Sequence, residues 1–171
     1  MNIPQKSWLN PKIELRETSN RGMGMFATES IETGEKILIW GGHYVHQAEA
    51  EKAKSEGKYV MQWDDDLYSV EDARGGEEAY FINHSCEPNA WMGDMFTIVA
   101  KKGIVPDEEI TVDYAVFEVD PMYMSKWECE CGSVHCRKKV TGKDWMVSEL
   151  QEKYRGHFLP VLNRRIKAIK I

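Results

Sequence analysis

The stretch FINHSCEPN (residues 81–89) contains the first of only four cysteines in the chain, Cys86. The other three follow together in CECGSVHC, at Cys129, Cys131 and Cys136. One cysteine thus stands far from the rest, in a run of polar residues that follows the apolar residues YFI. Whether the fold brings these two stretches together is the main question that the sequence raises.

The spacing C-x-C-x4-C of the three later cysteines is typical of a metal site. Thiolates are natural ligands for zinc, and a tetrahedral structural site needs four ligands. The fourth is either His135, which would strain the geometry because it sits beside Cys136, or Cys86, if the fold permits. Four unrelated thiols are the alternative. A redox site is less favoured, because the chain has no C-x-x-C pair.

Length and composition indicate a folded, globular chain. Its 171 residues predict one domain, or one domain with a short appendage. The hydrophobic share of 42% and the charged share of 29% are ordinary for such a domain. No apolar run reaches the length of about 20 residues that spans a bilayer, and the first ten residues lack the apolar core of a signal peptide. These features predict an intracellular protein, cytoplasmic or nuclear, with reduced thiols and no membrane association.

The net charge of −6 is unevenly distributed. Residues 1–136 carry twelve basic and twenty-five acidic groups, whereas residues 137–171 carry ten basic and three acidic groups. The main body is therefore predicted to attract a basic partner and not to bind nucleic acid directly. A solvated acidic surface that aids solubility is the alternative. The sequence leaves the oligomeric state open.

Hydrophobic patterning predicts many short strands followed by two helices. One early helix is expected over residues 46–57, and KYVMQW and LYSVED around an acidic turn suggest a hairpin. MFTIVAKKGIV and EEITVDYAVFEV are the clearest strands. KDWMVSELQEKYRG and LPVLNRRIKAIKI are typical of helices, the second with one apolar face formed by Val161, Leu162, Ile166 and Ile169. The order contains no βαβ alternation, which indicates a mainly β fold.

Three further motifs are weak when each is taken alone. Gly22 and Gly24 in RGMGMF lack the third glycine of a dinucleotide fingerprint, so they indicate either a turn or a close approach of backbone to a ligand. His84 beside Ser85 is not a hydrolase arrangement, and no G-x-S-x-G elbow is present. Tyr114 ends EEITVDY, where a tyrosine is most often part of the core.

Taken together and in this order, RGMGMFA, FINHSCEPNA, EEITVDYAVF and WECECGSVHCR resemble the SET domain family of protein lysine methyltransferases with a post-SET zinc segment. The resemblance covers residues 13–137. It implies a mainly β fold of the β-clip type, with small sheets and a knot-like threading near the C-terminal end, followed by C-terminal helices. The implied division is a SET domain over 13–118, a post-SET zinc-binding segment over 119–140 and a C-terminal helical extension over 141–171.

The resemblance also implies a cofactor and a metal. Zinc would be held by Cys86, Cys129, Cys131 and Cys136, and it would pin the later segment over the active site. The cofactor of the family is S-adenosyl-L-methionine, and Trp127 would offer it a stacking face. The full set of implied cofactor-binding residues is Gly22, Met23, Gly24, Met25, Tyr59, Asn83, His84 and Trp127.

By the same resemblance, Tyr114 is the catalytic residue, and Trp40, Val112 and Phe117 line the channel for the lysine side chain. Val112 stands where many family members have an aromatic residue that limits the number of methyl groups, which predicts a di- or trimethyl product. Trp40 and Tyr80 replace a tyrosine and an arginine of the family pattern. The short region between residues 42 and 80 and the lack of a cysteine-rich segment before residue 13 predict a stand-alone enzyme.

The resulting hypothesis is methyl transfer to lysine in a basic protein or peptide, for which a histone tail is plausible. The alternative is a non-catalytic SET module that binds a protein partner. A zinc-stabilised scaffold is a third possibility, and it predicts zinc binding without affinity for the cofactor.

Overall fold

The computed structural model describes residues 3–72 and 77–169. Within them, short strands and one early α-helix precede two C-terminal α-helices, and single 3-10 turns lie at Glu78–Phe81, Tyr114–Val116 and Asp144–Met146. The helices are α1 (Gln47–Ser55), α2 (Ser148–Lys153) and α3 (Pro160–Ile169). The strands are β1 (Trp8–Leu9), β2 (Ile13–Glu17), β3 (Met23–Ala27), β4 (Lys36–Ile39), β5 (Tyr44–Val45), β6 (Tyr59–Asp64), β7 (Leu67–Glu71), β8 (Asn83–His84), β9 (Ala90–Met92), β10 (Thr97–Ala100) and β11 (Glu109–Val112). The predicted mainly β fold with C-terminal helices is confirmed.

Most strands belong to one sheet of eight, in the order β1-β4-β10-β9-β11-β3-β2, with β8 also paired to β11. A second sheet has the order β5-β7-β6. The main sheet has eight strands and is larger than the second sheet, which has three. The reason is the central position of β11, which pairs antiparallel with β3 and parallel with β8 and β9 and so joins two groups of strands.

The parallel pair of β8 and β11 is the centre of the fold. Asn83 lies opposite Thr111, and His84 lies opposite Val112. Asn89 secures the pair, because its Oδ1 accepts from the Thr111 amide at 2.9 Å and its amide nitrogen donates to the Glu109 carbonyl at 2.8 Å. The NHSC segment thus packs directly against the strand that leads into the DY segment. The knot-like threading of one beneath the other stays a prediction.

Several local predictions hold, but both of the clearest predicted strands are shorter than predicted: MFTIVAKKGIV forms a strand only over Thr97–Ala100, and EEITVDYAVFEV only over Glu109–Val112. The helix expected over residues 46–57 is α1, and the chain turns after it at Gly57, whose φ of 80° suits glycine. The expected hairpin is β6 and β7, paired antiparallel. β11 ends at Val112, because the Asp113 carboxylate accepts from the Ala115 amide and starts a 3-10 turn there.

The C-terminal segment packs on the sheet domain in a less regular way than predicted. The helix predicted over KDWMVSELQEKYRG is interrupted, because Val147 is extended between a 3-10 turn and α2. In α3, the residues Val161, Leu162 and Ile166 are buried, but Ile169 is 55% exposed and does not belong to the packed face. Residues 170–171 lie outside the described part. The division at residues 118 and 140 stays a prediction.

The core is continuous from the main sheet into α2 and α3, and its largest completely buried side chains include Trp40, Trp63 and Tyr154. Within residues 3–72 and 77–169, no helix combines the length and apolar character needed to cross a membrane.

Candidate active site

Two cavities meet at Tyr114. The first, here called the Trp127 cavity, has a volume of about 420 Å³, and the second, the Trp40 cavity, has a volume of about 500 Å³. Both volumes fall in the range of about 300–1,000 Å³ that is common for small-molecule sites. Tyr80, Ile82 and Tyr114 line both. These three residues therefore form a wall common to both cavities.

Tyr114 is held in place by backbone and side-chain hydrogen bonds. It opens the 3-10 turn after β11 and is only 8% exposed. Its hydroxyl donates to the Ile82 carbonyl at 2.9 Å, and its amide donates to His84 Nδ1 at 3.2 Å. The ring of Phe117 packs at a centroid distance of 5.2 Å. These contacts fix the phenol at the junction of the two cavities.

His84 connects Tyr114 to the cysteines. Burial lowers the pKa of His84 to about 4, so the ring is neutral at ordinary pH. Because Nδ1 accepts the Tyr114 amide, Nε2 carries the hydrogen, and it lies 3.4 Å from the Cys86 sulfur. Both ring nitrogens are thus used inside the protein. His84 lines the Trp127 cavity, and its predicted contact with the cofactor stays a prediction.

The glycine-rich segment contacts the Asn83 side chain, which lines the Trp127 cavity. A Cβ on Gly24 would lie 2.8 Å from Asn83 Nδ2 and 2.8 Å from Glu109 Oε1, so a side chain here would displace this pair. The Asn83 amide nitrogen donates to the Met23 carbonyl at 3.1 Å and to Glu109 Oε1 at 2.9 Å. The carbonyl oxygen is the remaining polar group of that side chain in the Trp127 cavity.

The other residues of the predicted cofactor set are divided by the structure. Met23 lines the Trp127 cavity, whereas Met25 is completely buried in the core. Gly22 has a φ of 70° and shapes the turn before β3. Tyr59 lies on the wall of the Trp40 cavity, away from the other predicted cofactor residues, with its ring 6.0 Å from that of Tyr80.

Trp127 forms the aromatic wall of its cavity. It is 38% exposed, and its ring lies 5.9 Å from His84 and 6.3 Å from Tyr114. Its backbone carbonyl accepts from Ser125 Oγ at 2.8 Å and from Lys139 Nζ at 3.3 Å. The ring thus closes one side of the cavity while keeping an accessible face.

The Trp40 cavity combines an aromatic floor with carboxylates. Trp40 is 1% exposed, donates from Nε1 to the Ala79 carbonyl at 3.0 Å and packs 5.6 Å from Phe117. Val112, which was predicted beside them, is completely buried in β11 and lines neither cavity. Acidic residues on the wall outnumber the one basic residue; they are Glu51, Glu118 and Asp120, against Lys54.

Glu118 is the most perturbed of these carboxyl groups. Burial raises its pKa to about 7, with a further increase from the nearby charge of Asp120, while Lys54 lowers it. The Asp120 amide donates to Glu118 Oε1 at 3.0 Å. Lys54 in turn lies 3.6 Å from the Asp120 carboxylate. The negative charge of the Trp40 cavity therefore increases as the pH rises through about 7 and Glu118 loses its proton.

The four cysteines converge at the edge of the Trp127 cavity. Their sulfur atoms all lie within 4.8 Å of one another, and those of Cys86 and Cys129 are 4.0 Å apart. Tetrahedral zinc with bonds of about 2.3 Å separates its sulfur ligands by about 3.8 Å, so the donor set fits zinc. The Arg137 amide lies 3.4 Å from the Cys86 sulfur. His135, the alternative fourth ligand, is exposed and is not in the group.

Sequence reasoning missed one buried cluster beside this site. Asp113 and Arg137 form a two-pronged ion pair with contacts of 2.6 and 2.8 Å, and Tyr154 joins them from the C-terminal segment. Asp113 precedes Tyr114, and Arg137 follows Cys136, so their positions beside the two motifs were the available signal. Nothing in the sequence pattern indicated that Tyr154 reaches this point.

Comparison with known proteins identifies the domain type. The SET domain family matches residues 22–115. Similar curated proteins include "Histone-lysine N-methyltransferase trithorax" of Drosophila virilis, 35% identical over 130 residues, and "Histone-lysine N-methyltransferase ASHH3" of Arabidopsis thaliana, 32% identical over 143 residues. These alignments cover 68% and 75% of this chain but only 3% and 38% of the two relatives, so the chain spans a minor part of their length.

A solved structure shows the same fold. The methyltransferase domain of human histone-lysine N-methyltransferase SETMAR aligns with a TM-score of 0.58 and 24% sequence identity. The alignment covers 76% of this chain and 58% of that chain. At this identity the likeness concerns the fold alone.

Proposed function

Because the chain belongs to the SET domain family, we propose that it transfers a methyl group from S-adenosylmethionine to the side-chain amine of lysine in a basic protein. The observation that carries this proposal is the meeting of two different cavities at Tyr114. One has an aromatic face and an amide side chain, which suit an adenosine group. The other has an aromatic floor and carboxylates, which suit a lysine stem and its basic surroundings.

The main role of the site residues is to align the lysine amine with the methyl group, and acid or base chemistry is secondary. When bound, S-adenosylmethionine supplies a methyl group that its sulfonium has already activated. The Tyr114 hydroxyl orients the lysine amine at the junction, and Trp40 and Phe117 exclude water from the lysine stem. Asn83 and Trp127 hold the cofactor in its own cavity. The four cysteines would hold zinc, which would fix the segment that carries Trp127.

A basic substrate is supported by charge. The Trp40 cavity is acidic, and residues 1–136 carry a large excess of acidic groups. The relatives trithorax and ASHH3 are named as histone-lysine methyltransferases, which makes a histone tail the first substrate to try. We extend the same proposal to an intracellular location, cytoplasmic or nuclear, and to a main body that does not bind nucleic acid directly.

A product with two or three methyl groups is part of the proposal. Its support is the aliphatic side chain of Val112, two residues before Tyr114, in place of a larger aromatic ring. Val112 is completely buried and lines neither cavity, so the added room would come from the absence of a larger ring and not from a contact of Val112 with the lysine.

The decisive experiment is transfer of a labelled methyl group from S-adenosylmethionine to core histones and to whole-cell lysate. Label on a discrete protein band, absent with Tyr114→Phe, would support the enzyme, and the mass of the labelled peptide would give the number of methyl groups. Protein that contains zinc and binds the cofactor but labels no band would favour the non-catalytic module. Zinc without cofactor binding in calorimetry would favour the scaffold.

We expect Trp127→Ala to weaken cofactor binding by about tenfold, because a stacking face is worth about 1 kcal/mol beyond its buried area. Calorimetry with S-adenosylmethionine measures the change. Trp8→Ala is the matched control, since Trp8 is 41% exposed, nearly the same as Trp127, and lines neither cavity. Equal affinity in both variants would remove Trp127 from the cofactor site.

We expect the KM for the labelled basic substrate to fall as the pH rises through about 7, because Glu118 then loses its proton and becomes negatively charged. Glu118→Gln should raise this KM by about threefold above that pH and make it less dependent on pH. Initial rates at several pH values measure it. Glu56→Gln is the control, because Glu56 is an exposed carboxylate outside the cavity. A pH response unchanged in Glu118→Gln would contradict the assignment.

A further inference from the structure

The carboxylate of Asp113 is completely buried directly before Tyr114. Its Oδ1 accepts from the Ala115 amide at 3.0 Å and from Arg137 at 2.6 Å. Its Oδ2 accepts from Arg137 at 2.8 Å and from the Tyr154 hydroxyl at 3.0 Å. A buried carboxylate with four donors is fully satisfied and holds one orientation. Because Oδ1 also binds the Ala115 amide, that orientation sets the turn that begins at Tyr114.

Arg137 joins this carboxylate to the cysteine group. It follows Cys136, and its amide faces the Cys86 sulfur at 3.4 Å. Besides the fork on Asp113, its Nε donates to Asp144 Oδ2 at 3.0 Å. Burial is the largest influence on the pKa of Asp113 and raises it, but the hydrogen bonds and charge of Arg137 outweigh burial and keep the pKa below its ordinary value. The pair is therefore ionised.

Tyr154 brings the C-terminal segment to the same point. It directly follows α2, is completely buried and packs against Phe158 at a ring distance of 6.0 Å. The neighbouring Lys153 donates to the Cys86 carbonyl at 2.7 Å. Both residues lie beyond residues 22–115, where the SET domain family matches.

We propose that Tyr154 is a positioning residue: it holds the Asp113 carboxylate and, through it, the turn that carries Tyr114. The C-terminal helical segment then belongs to the catalytic unit and is not an independent appendage. The catalytic part of this inference rests on the proposed methyl transfer, whereas the effect on the turn does not.

Tyr154→Phe isolates the role of one hydroxyl. The ring remains, and Asp113 keeps both bonds to Arg137, so charge balance in the core is preserved. We expect kcat to fall by about tenfold, because small displacements of an aligning group are costly in transfer reactions. The KM for the labelled substrate, cofactor affinity and zinc content should change by less than about twofold, since Tyr154 lines neither cavity.

Hydrogen exchange of the Ala115 amide, followed by NMR, reads the same effect without any substrate. Exchange should become faster in Tyr154→Phe, because Asp113 is held less firmly. The control is Tyr44→Phe, which removes a hydroxyl that donates to the Trp40 carbonyl at 3.2 Å and lies outside this cluster. It should leave Ala115 exchange and kcat unchanged.

Unchanged Ala115 exchange and unchanged kcat in Tyr154→Phe would overturn the proposal. Equal changes in Tyr44→Phe would do the same, because they would indicate general destabilisation. If Tyr154→Phe does not fold, Thr141→Val decides: it removes the 2.6 Å bond to Asp144, which supports Arg137, and should give a smaller change of the same kind. Absence of methyl transfer by the unaltered chain would refute the proposed function but leave the exchange test valid.

Discussion

Tyr114→Phe is expected to lower kcat for methyl transfer by about 100-fold or more, a typical effect of removing one preorganised hydrogen-bonding group at a reacting centre. The hydroxyl is the polar group of Tyr114 at the junction of the Trp127 and Trp40 cavities, where the amine and the methyl group must meet. Phenylalanine keeps the ring and its packing against Phe117. The loss should therefore appear in kcat and not in cofactor affinity.

The measurement is initial rates on the labelled substrate together with calorimetry for S-adenosylmethionine. Tyr44→Phe is a close chemical match, because it too removes a hydroxyl that donates to a backbone carbonyl, and Tyr44 lines neither cavity. Each variant loses about 1 kcal/mol of stability from one hydrogen bond. If Tyr114→Phe keeps more than about a third of the activity of Tyr44→Phe, its hydroxyl does not align the reaction.

The elements of this fold that depend on local pattern could be predicted from the sequence. The α1 helix, the β6–β7 hairpin and the strand core of EEITV follow from helix propensity, turn residues and β-branched runs. The residues alone left His135 and Cys86 as alternatives for the fourth ligand, and the family resemblance implied the convergence of Cys86 with the three later cysteines that the structure contains. That resemblance depended on the order of the four motifs along the chain.

What the sequence did not reveal depends on long-range packing. The extended conformation of Val147 and the exposure of Ile169 are set by how the C-terminal segment docks, not by its own periodicity. Tyr59 lies on the wall of the Trp40 cavity because β6, which carries it, lines that cavity. Tyr154 reaches Asp113 across 41 residues of sequence, and no local signal marks such a contact.

Cys86→Ser is expected to abolish stoichiometric zinc binding and to lower cofactor affinity by at least about tenfold. Cys86 ties β8, with Asn83 and His84, to a group of cysteines that begins 43 residues later. A metal bond across so long a loop removes much of the freedom of the unfolded chain, and structural zinc contributes directly to folding. Without it, the segment carrying Trp127 loses its attachment to the Trp127 cavity.

Zinc content by elemental analysis, thermal unfolding and calorimetry with S-adenosylmethionine measure the three consequences. His135→Ala is the informative control, because His135 adjoins Cys136 and is the other candidate for the fourth ligand. Since His135 is exposed and outside the group of sulfur atoms, that variant should retain one zinc ion and its cofactor affinity. The opposite result, zinc kept by Cys86→Ser and lost by His135→Ala, would assign the fourth ligand to the histidine. The Trp127 segment would then be fixed by a site that does not include β8, and its contact with Tyr114 would need another support.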